Sequence, residues 1–209
     1  MLKELIAVLG FVALLVITMS VLAIGFDVDV RILTAISLLL FLLFISLFYN
    51  RLRRSAPEVP PACHIAAAIG LLVGADALIG GVGHSFAVAS LALREPEYGP
   101  LQILRLTTGA ILLFSGAMTL AMYPGIKAGR SSAVGLGAAA ALLLWLLLLF
   151  TLPLPGTGGT VPPRLGSWSV YLLSLGAAAV SLAMRKSKDN RSALASTTAR
   201  ARSASRATM

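Results

Sequence analysis

Residues Ala62–Leu93 read ACHIAAAIGLLVGADALIGGVGHSFAVASLAL, a run whose only formal charge is Asp76. About 20 apolar residues of helix cross a hydrocarbon core about 30 Å thick, so this stretch can span a bilayer with residues to spare. Five further uncharged runs reach that length or nearly so: Leu5–Phe26, Ile32–Asn50, Leu106–Ile126, Ser131–Leu152 and Leu165–Met184. The connectors between them are short and carry the prolines, glycines and charges expected where helices leave a membrane. Of the whole chain, 58% is hydrophobic and 12% charged. Soluble domains are about a quarter charged, which excludes a water-soluble globular fold. The expected architecture is all-α: a polytopic integral membrane protein with six transmembrane helices in residues 1–184. The remainder, 185–209, is expected to be a disordered basic tail, since it has almost no large apolar residue after Leu194 and cannot bury enough surface to fold alone.

Charge placement orients those spans. If six helices cross, one side holds Lys3, Arg51, Arg53, Arg54, Lys127, Arg130 and every cation from Arg185 onward. The other holds only Arg31, Arg94, Arg105 and Arg164. The positive-inside rule then puts both termini in the cytoplasm, with the protein in the cell membrane. Leu5–Ile24 could alternatively be a signal peptide, with Ala23 and Gly25 at a small-residue cleavage site. Its apolar core of about 20 residues exceeds the 7–15 usual for such a segment, so a retained helix is the better reading. The tail is suited to anionic headgroups. Nucleic acid is disfavoured because no folded module accompanies the charge.

Chemistry would centre on Asp76. An acid at the centre of a membrane helix costs about 2.5–3.5 kcal/mol on insertion scales and is by default a functional hypothesis. At 100° per residue Gly80 and Gly83 share its face, while Gly70, Gly74 and Gly81 belong to a separate small-residue face that lets another backbone approach closely. In the following span Arg105, Thr108, Ser115, Thr119 and Tyr123 fall within an arc of about 80°. An antiparallel hairpin closing near Leu93 and Leu101 pairs residues whose numbers total about 194. That sets Asp76 level with Met118, within reach of Ser115 or Thr119. The expectation is a hydrogen bond between them, with His84 as a second proton carrier and Arg105 nearer the outer boundary. The alternative is a break at Gly80–Gly83, which would open non-helical backbone at membrane depth. His64 is read as interfacial.

Other chemistries find little support. The single cysteine, Cys63, excludes an intrachain disulfide and a cysteine-cluster metal site. His64 and His84 lie about 30 Å apart along a helix and cannot clamp one haem. No nucleophile elbow, paired-histidine metal motif or phosphate loop occurs, and no known family is recognised. The sequence is expected to carry no cofactor or metal, and it leans away from an enzyme. Three functions remain: foremost a non-catalytic subunit or scaffold of a membrane assembly, with partner subunits or its own copies; next a small-solute, proton or ion transporter using Asp76, His84, Arg105, Ser115 and Thr119; and last a membrane enzyme or redox protein.

Overall fold

The structure, a computed structural model, describes residues 2–26, 28–92, 99–151 and 161–207. Asp27 and the stretches 93–98 and 152–160 lie outside those residues. The described chain is helical without a strand: α1 (Leu2–Gly25), α2 (Val30–Ser55), α3 (Pro61–Ala92), α4 (Gly99–Lys127), α5 (Ser131–Thr151) and α6 (Val161–Ala207). Four stretches are long and apolar enough to cross a membrane: Arg31–Ser55, Pro61–Gly83, Leu106–Lys127 and Leu165–Ser192. Ile6–Met19 and Ser131–Leu147 are apolar but shorter.

Local chemistry explains the helix ends. Asp29 caps α2 by accepting from the Arg31 amide at 2.7 Å, pairing one of the donors a helix start leaves free. Arg53 and Arg54 sit in the last turn of α2, where the helix dipole favours cations. Pro61 opens α3, a position where the missing N–H costs nothing. Helix α4 ends at Gly129, whose φ of 68° is left-handed. The Arg130 amide donates to the Gly125 carbonyl at 2.9 Å and the Gly129 amide to Ile126 at 3.0 Å, the paired bonds of a Schellman cap. Replacing Gly129→Ala is expected to cost about 1 kcal/mol, because a Cβ crowds the following carbonyl in this conformation. The same Cβ would stand 3.1 Å from Val59 Cγ1. A thermal melt in mild detergent checks this.

Helix α3 is the axis of the molecule. It packs on α4, α6, α1 and α2, and α5 closes a ring by packing on both α4 and α6. Residues 66–75 of α3 are buried without interruption, and with Leu112, Ile126, Trp168, Tyr171 and Leu175 they form the core. Val8 and Val12 of α1 are also buried, and Phe11 stacks on Phe44 of α2 at 5.0 Å. The glycines at 80–83 do not break α3, which runs unbroken to Ala92. Gly81 packs closely on α4, as described next.

The basic tail also differs from its sequence reading. Helix α6 continues through it to Ala207, and its side chains from Arg185 to Ser192 are exposed. Arg185 at its start donates to the Glu58 carbonyl, and the exposed side chains beyond it fit a segment that has no core of its own. It is helical because the preceding turns have already met the nucleation cost. Ala, Arg and Lys then propagate well.

Candidate functional site

The α3–α4 seam is made by missing side chains. A Cβ on Gly81 would stand 2.6 Å from Leu113 Cγ and 2.9 Å from the Gly109 carbonyl oxygen. One on Gly74 would meet Leu120 at 3.1 Å and the Gly116 oxygen at 3.3 Å, and one on Gly116 would meet the Gly74 oxygen at 2.7 Å. Gly70 serves a different neighbour. Its face receives the ring of Tyr171 on α6, with the Tyr171 hydroxyl 2.9 Å from where a Cβ would be.

These contacts fix both the level and the rotation of α3. The levels agree with the hairpin expected from sequence: Gly74 meets Leu120 and Gly81 meets Leu113. The rotation does not. With Gly74, Leu78 and Gly81 against α4, Asp76 lies about 140–200° around the helix from the seam. Ser115 and Thr119, both buried, line a cleft between α4 and α5 instead, and the Ser115 hydroxyl donates to the Ile111 carbonyl of its own helix. The structure therefore does not bring Asp76 together with Ser115 or Thr119. Close backbone approach requires the small face; a polar match across helices averages only about 0.6 kcal/mol and does not outweigh it. The His84 and Arg105 side chains lie outside those described; their backbones continue α3 and α4.

Around Asp76 the surface changes character. On its face of α3, Ile69, Leu72 and Val73 are buried. From Asp76 onward the cover lifts: Asp76, Ile79 and Gly80 are half-buried and Gly83 is exposed, with nothing within 4 Å of a Cβ placed on it. Val82 and Phe86 beside it are exposed as well. No model of a protein family matches the chain, and no curated protein or solved structure is similar to it.

Sequence reasoning missed a polar layer at the opposite end of the bundle. Glu4 of α1 accepts from Lys127 Nζ of α4 at 2.8 Å and from the Tyr123 hydroxyl at 3.1 Å. Lys127 also lies 5.8 Å from the Tyr123 ring centroid. Burial alone would push the Glu4 carboxyl up, but the Lys127 hydrogen bond and charge, with the Tyr123 hydroxyl, outweigh it and hold it below the ordinary value. His64 is near this layer and is fully buried within the bundle. Its ring meets Tyr49 edge-on at 6.3 Å, and neither ring nitrogen has a hydrogen-bond partner. The proline-bearing α2–α3 connector folds the start of α3 under α2, and that encloses the imidazole. Among the described residues, no three His, Cys, Asp or Glu side chains gather as a metal site would require.

Proposed function

We propose that this chain is a non-catalytic, multi-pass subunit of a membrane assembly, and that the Asp76–Gly83 face of α3 receives a helix from another subunit or a second copy. The observation that carries this reading is the burial gradient along that face, complete at Ile69–Val73 and open from Asp76 onward. An ionisable group at bilayer depth belongs against protein or water rather than lipid, and an adjacent glycine surface lets a partner backbone come close. All six helices cross in this reading, with both ends at the basic, cytoplasmic side of the cell membrane. The exposed cations of α6, Arg185, Lys186, Lys188 and Arg191, lie against anionic headgroups. Ser115 and Thr119 of α4 line the α4–α5 cleft and not the Asp76 face, which favours this reading over a conduction path between α3 and α4.

Affinity purification in mild detergent is expected to recover a stoichiometric membrane partner or a defined oligomer. Asp76→Asn and Gly83→Leu should each reduce that recovery, and Gly83→Leu should do so without lowering the melting temperature, since a side chain at Gly83 meets nothing within its own chain. A clean monomer, or association indifferent to both substitutions, would sink the reading.

A further inference from the structure

A second cleft lies between the start of α5 and the stretch of α6 where its apolar run ends. Its inner part is apolar, between Gly135 of α5 and Ala179 and Leu182 of α6, while its outer part carries Arg185, Lys186 and Asp189. A Cβ placed on Gly135 would meet nothing within 4 Å, so the inner part is open. From Ala179 to Asp189 the cleft follows α6 for about 15 Å. We infer that it seats one anionic phospholipid, with the phosphodiester on Arg185 and Lys186 and the start of the acyl chains against the apolar wall. The inference rests on the reading above that this end of the bundle lies at the cytoplasmic headgroups.

Charge selects the occupant. The side chains of Arg185 and Lys186 are both exposed. Arg185 is held in place, because its Nη1 donates to the Glu58 carbonyl of the α2–α3 connector. A guanidinium has five N–H donors, so most of them remain for a phosphate, whose geometry that planar fork matches. Among the described residues Lys186 forms no ion pair, and its ammonium adds a point charge of the kind that holds phosphates. Asp189, about one turn further out, limits what can enter. Two cations and one carboxylate leave a single positive charge, which suits a phosphodiester better than a phosphomonoester carrying about −1.5 to −2 at pH 7. The order along α6 then favours a lipid over a free anion. Apolar wall comes first and charge after it, and a water-soluble phosphate would use only the outer half. Basic pockets between transmembrane helices on the cytoplasmic side recognise lipid headgroups in this way.

Lipid counting tests this. The full chain, delipidated in mild detergent, is given equal amounts of phosphatidylglycerol and of phosphatidylcholine, whose choline cation cancels the phosphate charge. Native mass spectrometry then counts the lipid bound to each chain. One phosphatidylglycerol per chain is expected, preferred by about tenfold, the effect of one to two cations at headgroup level. Lys186→Gln should cut the preference severalfold, and Asp189→Asn should raise it. Arg53→Gln with Arg54→Gln removes two exposed cations from the last turn of α2, outside the cleft, and should leave the preference unchanged. An equal loss in that control would overturn the inference, because the charge of the whole side would then select the lipid. So would a parent protein without preference, or displacement of the lipid by inorganic phosphate, which would make the ligand a free anion. A partnered protein lacking the preference overturns this inference alone, whereas a monomer that keeps it supports the inference and sinks only the partner reading.

Discussion

Gly81→Ala is expected to destabilise the protein by about 1–3 kcal/mol, the usual cost of forcing extra carbon into a packed interior. Gly83→Ala, two residues away, should stabilise it by up to about 1 kcal/mol, the helix-propensity difference between the two residues. The opposite signs follow from what each Cβ would meet. At Gly81 the obstacles are Leu113 Cγ at 2.6 Å and, at 2.9 Å, both the Gly109 carbonyl oxygen and the Leu113 amide nitrogen. A leucine side chain can rotate, but backbone cannot, so α3 and α4 must separate. In a bilayer that separation is costly through lost packing, since lipid tails are as apolar as the side chains and no hydrophobic driving force holds the pair. At Gly83 the Cβ meets nothing. Thermal or denaturant unfolding in mild detergent, followed by tryptophan emission, measures both variants. Equal effects at the two positions would show that the seam is not where the structure puts it.

That contrast also marks how far the sequence carries. Helix positions were legible because lipid demands long uncharged runs, and α3 shows it in Ala62–Leu93 alone. The level of α3 against α4 was legible too, since a short connector ties an antiparallel pair by simple counting. Rotation was not. The small face of Gly70, Gly74 and Gly81 and the Asp76 face are distinct on a helical projection, but nothing in one chain says which neighbour takes which. Polar matching suggested Asp76 toward Ser115; steric fit decided for Gly81 toward Leu113. The α4–α5 cleft was illegible for a related reason: it is a gap set by how far apart two Ala-bearing helices stand. The enclosure of His64 was not legible, because its place beside a connector looks wet until the chain folds back over it.

Glu4 illustrates a contact that depends on the whole bundle. Its partners lie more than a hundred residues away, and only the packing of α1 beside α3 brings it to Lys127 and Tyr123. Glu4 is 12% exposed and Lys127 26%, so water screens the pair only in part. Removing the charge with Glu4→Gln is expected to cost about 1.5–3 kcal/mol, the range for hydrogen bonds to charged groups. It also leaves the Lys127 ammonium without its carboxylate in a half-buried place. Acidity should reproduce the loss in the unmodified protein. Because Lys127 and Tyr123 hold the folded-state pKa of Glu4 below its ordinary value, the contribution is fully present above the unfolded carboxylate pKa. It disappears as the pH falls through the depressed folded value. Other carboxylates titrate in the same window, so the informative quantity is the difference between the two proteins. Melting temperatures should differ clearly at neutral pH and converge once the pH is below the depressed folded value. Lys127→Met should lose the same difference and raise the Glu4 pKa, since burial then acts unopposed by the cation. A gap between the parent and Glu4→Gln that stays constant down to that pH would mean the carboxylate does not hold α1 to α4.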